Sequence, residues 1–444
     1  MYDIKKRVIC TLMITALLFL TACGSNNDDP PVVEEPSVQI GEAQPQIDVS
    51  DITQADADID EDYENIEEGY EDVEEAEDIS LEEFIANAIE ENSNRISGLA
   101  VTVFTEDDII LELQHGYADI AAGLAIDSDT VFGWGSITKL LVYVSAMQLY
   151  ERGELDLHAD IFTYISQEFF PNIVYPVTMH HLINHTAGFE IFINSAGGLY
   201  EQDALLIQTP FGEPLLTLED ALKGVFSREF IAQTSQPGER FSYSNEGIAL
   251  AGYVIAQISG MPFYEYVHKN IFAPLEMTHT ALLPDLSDNE WVSMQRDKVK
   301  VYRFTGREER SMQREQIHIY PTGAAVGTIS DMIRFARALM PDENGASVLF
   351  ERPETMSKLY PSLEEIQNLP FCAISGVRYF NGFSILHPVG ESGRLLGHGG
   401  GTRGFSSFLL IDIDRGIGWV MSENRRDGLW SVDGFLPGFL EVVF

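Results

Sequence analysis

The chain has 444 residues, and 70 Asp and Glu against 27 Lys and Arg give it a formal net charge of −43. That balance excludes a nucleic-acid partner, because phosphate backbones repel such a surface. Three cysteines in this length leave no basis for a disulfide framework or a metal–thiolate cluster.

Met1 to Ala22 has a basic head (Lys5, Lys6, Arg7) and an apolar run from Val8 to Leu20. The run is too short for a comfortable membrane span and fits an export signal. Leu20-Thr21-Ala22-Cys23 resembles the bacterial lipoprotein signal, in which the cysteine is lipidated and becomes the first mature residue. The resemblance implies a lipid anchor on Cys23 and a place on the extracytoplasmic face of a bacterial cell membrane. An ordinary cleaved signal peptide is the alternative. More than one acyl chain holds a protein stably on a bilayer, where a single chain is marginal. After processing, Cys372 is the one unmodified cysteine, so no internal disulfide is expected.

Residues 23–80 read as an acidic, disordered tether. It carries 21 Asp and Glu from Asp28 to Asp78, and neither Lys nor Arg occurs between Arg7 and Arg95. Such a segment repels itself and buries little. It would hold a folded domain away from the membrane.

Residues 81–444 are long enough for one large domain or two intimately joined lobes. Leu81 to Glu90 reads as a short amphipathic helix, and Gly98–Thr105 and Ile109–Gly116 as strands around Glu106-Asp107-Asp108. Gly135-Ser136-Ile137-Thr138-Lys139 leads into the apolar run Leu140 to Met147, which marks a helix buried on all sides. Glu151-Arg152-Gly153 is its last turn and C-cap. Serine and lysine three residues apart fall on one helical face, so hydroxyl and amine meet. A serine in that first turn sits among unpaired N–H groups, which suits a nucleophile whose reaction passes through an oxyanion. By itself Ser-x-x-Lys is a weak signal, equally satisfied by a serine N-cap and a solvated lysine.

Tyr175 to Gly188 holds three histidines, and a helix there puts His181 and His185 on one face at i, i+4. Zinc accepts that spacing, but no Glu sits between them in the metalloprotease arrangement. A structural helix without metal is expected. Leu216 to Arg228 reads as a helix. Gln236 to Arg240 turns into Phe241-Ser242-Tyr243-Ser244-Asn245, and an apolar helix from Ile248 to Ile258 ends at Gly260, with Ser244 or Asn245 as its cap. Asp285 to Ile319 is polar and irregular and reads as surface excursions, and Thr322 to Met340 runs into a helix. The end is strand-rich, with Val377–Leu386, Arg394–Leu396, Phe405–Ile413 and Ile417–Ser422, the last two joined by Asp414-Arg415-Gly416. Gly397 to Gly404 reads as a loop whose glycines let the backbone approach a ligand and point N–H groups at it.

Taken in order, Ser136-x-x-Lys139, Tyr243-Ser244-Asn245 and His398-Gly399-Gly400 resemble the three motifs of the serine β-lactamase and penicillin-binding-protein superfamily. The similarity is to its branch of class C-like hydrolases, DD-peptidases and esterases. It extends over residues 81–444 and includes the flanks His181 to Gly188, Pro237-Gly238 and Gly397 to Ser407. The resemblance implies a β-lactamase/transpeptidase-like α/β (α+β) fold: an antiparallel sheet flanked by helices, joined to an all-helical lobe, with the site between them. It also implies an acyl-enzyme on Ser136, with Lys139 in hydrogen-bond reach and Tyr243 as general base and acid. A free phenol titrates near pH ~10, so that role needs a cation or proton relay beside it. Asn245 would position the acyl side chain, and the N–H groups of Ser136 and Gly401, next to Gly400, would form the oxyanion hole.

One departure bears on substrate. The β-lactamases of this superfamily usually carry Lys-Thr-Gly at the third motif, where this chain has His398-Gly399-Gly400. An unperturbed histidine is mostly uncharged at neutral pH, so a substrate carboxylate loses a partner; Arg403 is the candidate replacement. The expected function is a membrane-tethered serine hydrolase acting on a small ester, amide, β-lactam or D-amino-acid peptide, without cofactor or metal, as a monomer. The alternative is a catalytically silent relative that binds cell-wall peptides or a partner protein.

Overall fold

The computed structural model describes residues 79–191, 208–226, 231–305, 308–311, 315–368, 371–372, 377–386, 394–426, 428–429 and 435–443. The signal segment, Cys23, the tether up to residue 78 and residues 192–207 lie outside them. Among the described residues no single helix is long and apolar enough to cross a membrane.

A nine-stranded sheet forms the backbone of the domain. Its strands are β1 (Gly98–Thr105), β2 (Ile109–Asp119), β3 (Leu124–Ala125), β4 (Phe371–Cys372), β5 (Val377–Phe380), β6 (Phe383–Leu386), β7 (Leu395–Gly401), β8 (Ser406–Asp412) and β9 (Ile417–Glu423). The order across the sheet is β4-β5-β6-β7-β8-β9-β1-β2-β3. Every ladder is antiparallel, and β1 is locked to β9 from Leu99 opposite Glu423 to Thr105 opposite Ile417.

Period-two alternation sends side chains to two different cores. Leu99, Val101, Val103, Phe408, Leu410, Trp419 and Met421 pack with helix α1 (Leu81–Glu91) and the C-terminal helix Phe435–Val443. Phe104, Leu396, Leu409, Ile411 and Val420 face the other way, into the large core of the helical lobe. A sheet covered on both faces has apolar runs in place of a polar alternation.

The helical lobe is the long excursion between β3 and β4. At its centre lies α2 (Lys139–Glu151), of which all residues but Tyr150 are buried. Gly153 stands at φ +72° just past its end, the left-handed position that favours glycine. Packed around it are α3 (Met179–Ile183), α4 (Leu218–Phe226) and α5 (Asn245–Ser259). Ser244 caps α5, its hydroxyl accepting the Gly247 N–H at 3.0 Å, and Gly260 closes it at φ +68°.

Several expectations are corrected. Gly397 to Gly401 is no loop but the end of β7. The helix expected across Tyr175 to Gly188 is five residues long, because Asn184 caps it and His185 turns left-handed at φ +56°. His181 and His185 therefore share no helical face. Asp285 to Ile319 is only partly a surface excursion: it contains the helix Glu290–Arg296, and Val292, Val299 and Val301 are buried against Phe132 and Phe405. Val377 to Leu386 is two strands that turn at Asn381 and Gly382, both at positive φ. The C-terminal helix and the strand Val326–Thr328 were not anticipated.

Candidate active site

Ser136 lies one step before the central helix, in a 3-10 turn spanning Gly135–Thr138, and not in the helix's own first turn as expected. The difference helps the chemistry. With three residues per turn, side chains at i and i+3 eclipse, and Lys139 Nζ donates to Ser136 Oγ at 3.0 Å. Lys139 has no exposed surface, and its ammonium also donates to the Thr322 carbonyl at 2.7 Å. Ser136 keeps 6 % exposure.

The turn is held from three sides. Thr138 Oγ1 donates to the Gly135 carbonyl at 2.7 Å and accepts the Ala325 N–H at 3.2 Å, while the Trp134 N–H donates to Ala325 at 2.8 Å. Behind it, Ser407 on β8 donates to the Gly133 carbonyl at 2.9 Å and lies 2.8 Å from the Ser422 hydroxyl of β9. The glycines of β7 explain the rest. A Cβ on Gly400 would stand 1.8 Å from the Trp134 carbonyl oxygen, and one on Gly135 would stand 2.6 Å from the Gly401 nitrogen. Only bare backbone fits at this junction. The strand and the turn thus meet close to the Ser136 and Gly401 nitrogens.

Tyr243 reaches the site from the segment before α5. Lys139 Nζ lies 5.2 Å from its ring centroid, His398 6.4 Å away, and His185 stacks on it at 4.2 Å and 26°. Backbone bonds lace this segment to the flank after α3: the N–H groups of Thr234, Gly238 and Ser242 donate to the carbonyls of Gly188, Thr186 and His185. This accounts for the Pro237-Gly238 and His181 to Gly188 stretches noted in the sequence.

Both histidines are neutral. His398 Nδ1 lies 2.6 Å from the Gly399 carbonyl, which can only accept, so the proton is assigned to Nδ1. Burial first, and then the Lys139 charge, push His398 down to about 3. His185 Nδ1 accepts the Ser244 N–H at 3.1 Å, which assigns its proton to Nε2. Burial, reinforced by Lys139 and His398, holds it well below the ordinary histidine value.

Ser136, Lys139, Tyr243, His398, Gly400 and Gly401 therefore converge. Asn245 is the first residue of α5, half-buried, and Arg403 is exposed in the turn after β7. One buried group was not anticipated: Glu246, in the first turn of α5, accepts from Ser244 Oγ at 2.9 Å. Burial raises its pKa, with the Ser244 bond and the Lys139 charge opposing. An acid directly after Tyr243-Ser244-Asn245, at the head of an apolar helix, was the signal available for it.

Comparison with known proteins agrees with this fold. The family model described as Beta-lactamase matches residues 81–434. Penicillin-binding protein 4* of Bacillus subtilis is 23 % identical over 355 residues, covering 76 % of this chain and 70 % of that protein. Esterase EstB of Burkholderia gladioli is 26 % identical over 274 residues, covering 55 % and 66 %. The crystal structure of a D-amino acid amidase from Ochrobactrum anthropi superposes with a TM-score of 0.63 at 19 % identity, covering 82 % and 98 %. The antiparallel sheet flanked by helices and the joined helical lobe make this the β-lactamase/transpeptidase-like fold, and the chain belongs to the beta-lactamase family.

Proposed function

We propose that the protein is a serine hydrolase of the class C-like branch, anchored through a lipidated Cys23 to the extracytoplasmic face of a bacterial cell membrane. Its substrate is a small ester, amide or D-amino-acid peptide. The observation that carries the reading is the buried Ser136–Lys139 pair at 3.0 Å beneath the Tyr243 ring.

In this mechanism Tyr243, a phenolate beside the Lys139 ammonium, takes the Ser136 Oγ proton as Oγ attacks the carbonyl carbon. The oxyanion that forms is met by the N–H groups of Ser136 and Gly401. As the tetrahedral centre collapses, the bond to the leaving group breaks and Tyr243 returns the proton to it. Water then attacks the acyl-enzyme by the same route and frees the acid, restoring Ser136. Asn245 orients the acyl side chain.

The neutral state of His398 supports a preference for substrates that need no cation at the third motif. β-Lactams and D-Ala peptides carry a carboxylate there, and Arg403, exposed two residues beyond Gly401, is the side chain left to meet it. Relatives named penicillin-binding protein, esterase and D-amino acid amidase fit this range, although a shared fold alone does not choose among them.

The test is intact mass of the full-length protein after a fluorophosphonate and, separately, a penicillin, for wild type and Ser136→Ala. A fluorophosphonate adduct on wild type alone establishes the nucleophile. An added penicillin adduct directs the assignment to cell-wall peptides. A folded protein that neither reagent labels is a binding protein, and the hydrolase reading fails. Mass of the N-terminal peptide decides lipidation at Cys23.

A further inference from the structure

We infer that His185 is a positioning residue for Tyr243, an inference that rests on the hydrolase reading above. His185 stands just beyond α3 at φ +56°, a left-handed conformation that is uncommon outside glycine and in which Asn, Asp and His are enriched. From there its carbonyl accepts the Ser242 N–H at 2.7 Å and its Nδ1 accepts the Ser244 N–H at 3.1 Å. These two bonds grip the backbone on either side of Tyr243. Between them the imidazole lies flat on the phenol, 4.2 Å away and tilted by 26°, within the range in which offset aromatic pairs attract. Phe241 closes the imidazole edge-on at 5.7 Å and 75°.

One residue thus holds three consecutive neighbours, two by their amides and one by its ring face. The phenol cannot swing without unstacking, and the imidazole cannot slide without leaving the Ser244 N–H buried and unmet. The clamp works only with a neutral imidazole, because a proton on Nδ1 would oppose the N–H it now accepts. The charged and titratable groups around it are Lys139, His398 and, across Ser244, Glu246. Lys139 and His398 both act against its protonation. The result is a phenol ring fixed over Lys139 Nζ at 5.2 Å, and small errors in such a placement cost rate.

The test uses the full-length protein, the rate of fluorophosphonate labelling at Ser136, hydrolysis of p-nitrophenyl butyrate, and the thermal midpoint. His185→Asn keeps a short acceptor on a residue that tolerates the left-handed backbone, but removes the ring. His185→Phe keeps the ring and removes the acceptor, and His185→Ala removes both. The expected result is a midpoint for His185→Asn within a few degrees of wild type, with kcat and labelling about 10-fold or more slower and KM unchanged. His185→Phe should recover part of the rate lost in His185→Ala. Should the Asn variant not fold, the Phe-against-Ala comparison decides alone. Wild-type labelling with unaltered rates in the folded variants overturns this inference and leaves the hydrolase reading standing. A wild type that neither labels nor hydrolyses overturns both.

Discussion

Lys139 Nζ donates to Ser136 Oγ at 3.0 Å from a side chain with no solvent-exposed surface. The 3-10 turn makes the contact, and the Thr322 carbonyl fixes the ammonium from the other side at 2.7 Å. A cation in this setting serves the serine and does not serve solvation. Replacing it with the nearly isosteric Lys139→Met keeps the volume and removes the charge. Labelling by a fluorophosphonate should slow by roughly 10²–10⁴-fold, the usual range for a positioned acid–base group. Lys139→Arg should not restore it, because a planar fork does not reproduce a point donor. Unchanged labelling in the folded Met variant would remove Lys139 from the mechanism.

The glycines of β7 are not interchangeable. A Cβ on Gly400 would collide with the Trp134 carbonyl at 1.8 Å, whereas one on Gly401 meets nothing within 4 Å. Gly400→Ala should destabilise by roughly 1–3 kcal/mol, as overpacking does, and abolish labelling by pushing the turn away. Gly401→Ala should keep the wild-type midpoint. Equal midpoints for the two variants would contradict the contact.

Acid should destabilise the domain through its buried histidines. His398 is pushed down to about 3 and His180 to about 4 by burial, with neighbouring positive charge adding to it, and His185 shifts in the same direction. Between those values and 6.5 the unfolded chain binds more protons than the native one, so stability rises with pH across that window. Glu246 and Asp331 work oppositely, their raised pKa values favouring the fold at lower pH, but His181 and His318 shift down with the other three histidines. The thermal midpoint should fall as pH drops from 7 to about 4.5, and His398→Asn should flatten the slope. A midpoint rising toward acid would show that the imidazoles are charged in the fold.

Ser407 carries the sheet's grip on the Ser136 turn. Its hydroxyl joins the Gly133 carbonyl to Ser422, and Ser407→Ala leaves buried polar groups unmet at a cost of about 1–3 kcal/mol. Calorimetry should register that loss, and labelling of Ser136 should slow with it. A neutral substitution would mean that Gly133 is held by its strand ladder alone.

The fold class and the motif residues were legible because their signals are local. An all-apolar run after Ser136, the Ser244 cap and the alternating strands near the end each arise from a few adjacent residues. What escaped was set by distant partners. Gly397 to Gly401 has loop composition, and only the approach of the Gly135 turn makes those glycines strand residues. His185 carries a helical spacing from His181, yet its bonds to Ser242 and Ser244 fix a left-handed backbone instead. The valines of the stretch from Asp285 to Ile319 are too sparse to show a period, and their burial depends on Phe132 and Phe405. The buried Glu246 is likewise defined by the packing that takes the head of α5 out of water.

The pairing of β1 with β9 also puts the closing of the sheet at the far end of the chain. The ribosome delivers Ser136 and Lys139 early, but β1 has no inner neighbour until Ile417 to Glu423 emerge, and β7 brings His398 to Gly401 only shortly before. Contacts between such distant segments form late, after the chain entropy of the whole intervening stretch has been lost. A chain that stops short of β9 therefore lacks the strand that β1 pairs with from Leu99 to Thr105.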